Sequence, residues 1–247
     1  MKRILAFLVA LACLAAMPVS LAAAPAGAAD FAHWAIVIVA GDDRAHNGNP
    51  SQVFDNARTD LAHAFAGIGF APANMAQFSV DPGPAAQTSD IAAIADALWD
   101  LSERAPAGCL IYFTSHGSPD GIVVNQDILT PHELGGIVTN ACGARPSVIV
   151  ISACYSGQFV PALSGPNRVV ITAARADRTS FGCGEFDKYT FFDDCFLRAL
   201  PLVKGFAALG GKVQECVAFR EKQLDATPPS EPQLSVGAKV GFTLRWK

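Results

Sequence analysis

Ser147-Val148-Ile149-Val150-Ile151-Ser152-Ala153-Cys154-Tyr155-Ser156-Gly157 is the stretch on which the reading of this chain turns. The β-branched run Val148 to Ile151 reads as a buried strand. It passes without a polar linker into small residues, a cysteine and Ser-Gly, which sets one thiol on a tight turn at the carboxyl end of a core strand. A second stretch, Cys109-Leu110-Ile111-Tyr112-Phe113-Thr114-Ser115-His116-Gly117, has the same form and ends in His-Gly. Open α/β sheets bind ligands in the crevice outside the carboxyl ends of their strands. If the two strands are neighbours, Cys154 and His116 face each other there.

On either side of these stretches, strands alternate with helices. The run over 33–40 is a core strand, and Asn49-Pro50 looks like a helix start, with Asn49 as N-cap and proline at the first helical position. Phe54, Ala57, Leu61 and Phe65 recur on one helical face, which ends at Gly67 and Gly69. A short strand follows over 75–80. Thr88 or Ser89 caps a helix whose apolar face is Ile91, Ile94, Leu98 and Leu101. Residues 122–128 suit a small hairpin, and Thr130-Pro131-His132-Glu133 is a capping box that opens another helix. Residues 168–173 form a further strand and 174–189 a loop rich in Gly, Asp and Ser. Helices are expected over 190–203 and 212–224, with Leu209-Gly210-Gly211 as the break between them. An extended proline-rich segment over 227–232 precedes a final edge strand or hairpin over 236–246. The alternation argues an α/β fold, a mostly parallel central sheet with helices on both faces.

The amino terminus reads differently. Met1-Lys2-Arg3 precedes an apolar, alanine-rich run that closes on Gly27-Ala28-Ala29, the form of a secretory signal peptide over 1–29. Pro18 and Pro25 favour cleavage over anchoring, and Ala10 stands where a lipoprotein signal around Cys13 would carry a larger aliphatic. The expectation is an exported protein, periplasmic or extracellular, with one domain over 30–247 and no stable membrane insertion after cleavage. Of 18 basic and 22 acidic residues, the leader holds Lys2 and Arg3 and no acid, so the remainder carries six more acids than bases. A mildly acidic chain without a basic block argues against nucleic acid as partner.

Six cysteines follow the leader: Cys109, Cys142, Cys154, Cys183, Cys195 and Cys216. Export permits disulfides. If Cys154 stays free, at least one other is unpaired, and Cys109, at the start of a buried strand, is the best candidate. A bridge among Cys183, Cys195 and Cys216 is plausible, its connectivity unreadable from sequence. No CxxC and no Cys/His set with zinc-ligand spacing occurs, so no metal or cofactor is expected.

A thiol attacks as thiolate and needs a base within reach, which a histidine supplies before protonating the leaving group. The tetrahedral intermediate needs N–H donors, for which the Gly117 and Cys154 amides are placed. Set against this, a strand-end cysteine is often a small buried hydrophobe and His-Gly an ordinary turn. Asp42, Asp43 and His46 follow the first strand and could line the same crevice, though a solvated loop explains them as well. His63 and His132 read as surface residues on helices.

Tyr112-Phe113-Thr114-Ser115-His116-Gly117-Ser118-Pro119-Asp120-Gly121-Ile122 resembles the histidine motif of the legumain-like cysteine peptidases, and Ser152-Ala153-Cys154-Tyr155-Ser156-Gly157 their cysteine motif, in the same order. Ile171-Thr172-Ala173-Ala174 with Thr179-Ser180-Phe181 is similar to their next strand and substrate-binding loop. The resemblance implies a caspase-like three-layer α/β sandwich and endopeptidase or transpeptidase chemistry on peptide or protein substrates. It implies His116 and Cys154 as the dyad and the Gly117 and Cys154 amides as the oxyanion hole. Ser180 would line the pocket for the residue before the scissile bond, with Asp194 as its acid. Ser152 stands where legumains commonly carry an acid, and the pocket arginine has no match near Asp55-Asn56-Ala57. Three readings follow: a cysteine endopeptidase, a transpeptidase, and a catalytically silent domain that binds peptides.

Overall fold

The computed structural model describes residues 29–241 and 243–246. The expected leader, apart from Ala29, lies outside them. β1 (Trp34–Ala40), β2 (Met75–Ser79), β3 (Gln87–Thr88), β4 (Gly108–Thr114), β8 (Ser147–Ser152), β9 (Arg168–Thr172) and β10 (Gln233–Val236) form a seven-stranded sheet in the order β10-β9-β8-β4-β1-β2-β3. Every neighbouring pair is parallel except β10 with β9. A three-stranded antiparallel sheet, β5 (Gly117–Ser118), β6 (Gly121–Val124) and β7 (Asp127–Leu129), follows directly on β4.

The central strands are buried over their whole length, which is why their sequences are continuously apolar. Their two-residue period still separates two faces. Ile36, Ile38, Leu110, Tyr112, Val148 and Val150 pack against α1 (Val53–Gly67), α5 (Phe191–Ala199) and α6 (Phe206–Gln223). Val37, Val39, Ile111, Phe113, Ile149 and Ile151 pack against α2 (Ile91–Arg104), α3 (Pro131–Cys142) and α4 (Val160–Leu163). The result is a three-layer α/β sandwich with a mostly parallel sheet, as the alternation of elements predicts.

The apolar stripe Phe54, Ala57, Leu61, Phe65 of α1 is buried, and the Thr130–Glu133 capping box forms. Elsewhere local signals yield to tertiary contacts. Helix α1 starts at Val53 and not at Pro50, because Arg44 and Pro50 close the preceding loop by an antiparallel bridge. The cap of α2 is Asp90, whose carboxylate accepts from the Ala93 amide at 2.8 Å, while Ser89 is buried and donates to the Ala40 carbonyl. Helix α6 runs through Leu209-Gly210-Gly211 without a break. Gly210 costs helix propensity of about 1 kcal/mol, but Leu234 of β10 occupies the space a Cβ would need. The last strand among the described residues is β10, which ends at Val236. Among the described residues after it, Arg245 meets Gly205 in a single bridge.

The cysteine pairing also corrects an expectation. Cys109, expected to be free, is bonded to Cys142, tying the start of β4 to the end of α3. The two residues lie far apart in sequence, and only the stacking of α3 on the sheet brings them together. Cys195 pairs with Cys216 and joins α5 to α6. Among the described residues Cys154 and Cys183 remain free. No helix among the described residues is long and apolar enough to cross a membrane.

Candidate active site

β4 and β8 are paired in parallel with Thr114 opposite Ser152. His116 and Cys154 each lie two residues further on, so the two motifs leave the sheet side by side. The Ser115 amide donates to the Ser152 carbonyl at 3.0 Å and carries the pairing one step past the strands. At Gly117 a Cβ would overlap the carbonyl oxygen of Cys154 and press on the Cβ of Ala153. Only glycine allows the histidine turn to approach the cysteine turn this closely.

The cysteine turn is held from two sides. Tyr155 adopts a left-handed conformation, φ 56° and ψ 12°, and its amide donates to the Arg178 carbonyl at 2.7 Å. The Ser156 hydroxyl accepts from the Ala174 amide, and a Cβ on Gly157 would strike the backbone of Ala174 to Ala176. The loop after β9 therefore lies directly on the turn. From that loop the Ser180 amide donates to the Cys154 sulfur at 3.2 Å, with the Ser180 hydroxyl at 3.6 Å. Cys154 is half-buried.

The histidine is held by residues outside its own motif. His116 Nε2 lies 3.0 Å from the Arg44 carbonyl oxygen. A carbonyl can only accept, so Nε2 carries the proton of the neutral ring and Nδ1 is left as the basic nitrogen. The Phe54 ring meets the imidazole edge to face, with centroids 5.1 Å apart. Arg44 is presented by a loop that Asp42 shapes: its carboxylate accepts from the Asp43 and Arg44 amides. The structure thus gives Asp42 a loop-forming role. His46 binds the Cys183 carbonyl, joining this loop to the one that carries Ser180. His63 and His132 are exposed on their helices.

Beneath the strand ends lies a buried acid. The fully buried Asp193 carboxylate accepts from the Tyr112 hydroxyl at 2.7 Å, the Thr114 hydroxyl at 2.6 Å and the Thr190 hydroxyl at 2.9 Å. Ser152 is buried beside it, 3.3 Å from the Thr190 hydroxyl. Burial pushes the Asp193 carboxyl above its usual range, against the pull of these donors. Asp194 points elsewhere: its carboxylate pairs with Arg220 of α6 and approaches Arg198. Of the expected site residues, the structure brings Cys154, His116, Gly117 and Ser180 together, places Ser152 just below, and turns Asp194 toward α6.

Three contributors to the site went unnoticed in the sequence. Arg44 acts through its backbone and leaves no signal. Phe54 looks like any core position of an amphipathic helix. Asp193 had a usable signal, since Thr190 and Asp193 have cap and third-position spacing and the Asp193 amide donates to the Thr190 hydroxyl. Cys183 packs against Ala40, Val53 and Phe54 behind the histidine. Its thiol is pushed up to about 11, by burial first and then by the negative charge of a Cys154 thiolate.

The geometry can be set beside known proteins. Among solved structures the chain resembles caspase-1 from Spodoptera frugiperda, with a TM-score of 0.62 over 90% of this chain and 94% of that one. The sequence identity is 14%, so the likeness establishes a caspase-like fold alone. No curated protein matches the chain. The sequence model of the Peptidase C13 family matches residues 28–201, most of the chain and both turns of the site. This protein belongs to the Peptidase C13 family.

Proposed function

We propose that the protein is an exported cysteine endopeptidase in which Cys154 is the nucleophile and His116 the general base and acid. Family membership gives a cysteine-peptidase type of function. The observation that carries the finer reading is the register of β4 against β8, with Gly117 seated on the Cys154 carbonyl.

In this reading His116 Nδ1 takes the thiol proton, and the sulfur adds to the carbonyl carbon of the scissile bond. The amides of Gly117 and Cys154 stabilise the oxyanion that forms. His116 returns the proton to the departing amine, leaving a thioester on Cys154 that water then cleaves. The Arg44 carbonyl holds Nε2–H and so keeps Nδ1 free for both transfers. Ser180 lines the pocket for the residue before the scissile bond, and Asp193 with Ser152 fixes the pocket floor from below. The domain spans 30–247, and residues 1–29 act as the export leader.

A diverse peptide library tests the reading. Incubation with the purified protein should yield new amino termini with a shared preference before the cut. Adding a peptide amine separates hydrolysis from transpeptidation by product mass. Tight peptide binding without any cleavage would instead favour the silent binding domain.

A further inference from the structure

Cys154 and Cys183 are the two described cysteines outside disulfides, while the remaining described four are paired within the packed layers. The free pair belongs to one site. The Ser180 amide donates to the Cys154 sulfur, and Cys183 follows three residues later on the same loop. Cys183 packs against the cluster of Ala40, Val53 and Phe54, and the Phe54 ring lies edge-on to His116. Cys183 stands between Gly182, at φ +87°, and Gly184. Both thiols are half-buried.

We propose that Cys183 is a resolving thiol for Cys154, closing a reversible disulfide once a peroxide has oxidised the Cys154 sulfur. The inference rests on Cys154 being the reactive thiol of the site. In the first step the Cys154 thiolate attacks one peroxide oxygen; the O–O bond breaks, hydroxide leaves and sulfur is oxidised to the sulfenic acid. In the second step the Cys183 sulfur attacks that sulfur. The S–O bond breaks, and the departing hydroxide takes the Cys183 proton and leaves as water. With its thiol held up at about 11, Cys183 stays protonated and leaves the peroxide to Cys154. Oxidation of Cys154 to a neutral sulfenic acid then removes one cause of that elevation and leaves burial and the Asp187 charge. The disulfide blocks the nucleophile and spares it from the irreversible acids further along the oxidation series.

The test treats the purified full chain with hydrogen peroxide, blocks free thiols and digests without reductant. Mass spectrometry should find a peptide linked through Cys154 and Cys183. Dithiothreitol should restore labelling of Cys154 by a thiol-reactive peptide probe. In Cys183→Ser the same dose should carry Cys154 to the sulfinic and sulfonic acids, with at least about tenfold less labelling recovered. Without oxidant that variant should label like the wild type. Absence of the linked peptide from the wild type, or equal recovery in both proteins, overturns the inference. If Cys183→Ser does not fold, the wild-type linkage decides alone. Mapping does not depend on cleavage, so a linked but inactive protein would remove the proposed peptidase and leave this inference standing.

Discussion

The Tyr112 hydroxyl donates to the Asp193 carboxylate across 2.7 Å, at a point where neither side chain meets solvent. The bond ties α5 to β4, the strand that ends in the histidine turn. Thr114 and Thr190 bind the same carboxylate, so one acid gathers the base of the site. Replacing Tyr112 by Phe removes one donor and should lower stability by about 1–2 kcal/mol. Replacing Asp193 by Ala strands three buried hydroxyls and should cost roughly 3–5 kcal/mol. Denaturant midpoints measure both.

The same acid sets a pH dependence. Burial raises the Asp193 carboxyl above its unfolded range, so the folded state binds that proton more tightly. The contribution is fully present below the ordinary carboxylate value and is lost as pH rises through the folded value. Wild-type stability relative to Asp193→Asn should therefore fall as pH climbs out of the acidic range. Parallel denaturation series of the two proteins read the difference, and a constant gap would contradict it.

Gly117→Ala should disable the site with the sheet intact. The added methyl overlaps the Cys154 carbonyl and pushes the two turns apart. Misplacement on the scale of 1 Å lowers kcat/KM by about 100-fold. Circular dichroism should stay native while peptide turnover and probe labelling of Cys154 both fall.

Phe54→Leu should loosen the imidazole through the contact it removes. The ring is buried, and trimming it should cost about 1–2 kcal/mol. Turnover should drop further than stability explains, because the Arg44 carbonyl becomes the main remaining restraint on the ring. Comparing activity at temperatures where both proteins are fully folded separates the two effects.

Each disulfide should contribute separately. The pairs Cys109–Cys142 and Cys195–Cys216 span 33 and 21 residues. Chain-entropy reasoning gives about 3–4 kcal/mol for loops of this size. Double serine replacements at either pair should lower the melting temperature, with a matching loss on reduction of the wild type.

Much of the fold, and the adjacency of the two turns that make the candidate site, were legible in the sequence. The β-branched runs ending in His116-Gly117 and Cys154 announce two buried parallel strands, and buried strands write themselves as unbroken apolar runs. What could not be read depends on contacts distant in sequence. Cys109 meets Cys142 only because α3 stacks on the sheet. Gly210-Gly211 looks like a helix break until Leu234 is seen filling the space above Gly210. Asp193 and Asp194 are adjacent and chemically alike, and beyond the spacing of Asp193 from the Thr190 cap only the direction of each side chain from α5 separates the buried acid from the partner of Arg220. The Arg44 carbonyl is a backbone atom, and no residue type marks it.

In the proposed mechanism Cys154 attacks and His116 removes its proton. The most direct measurement is peptide turnover by Cys154→Ala and His116→Ala, with intact and peptide mass spectrometry after a thiol-reactive peptide probe. Each variant should lose turnover by at least about 1,000-fold, and the probe adduct on the wild type should map to Cys154. Turnover equal to wild type in either variant, or an adduct that maps to Cys183 with Cys154 untouched, would contradict it.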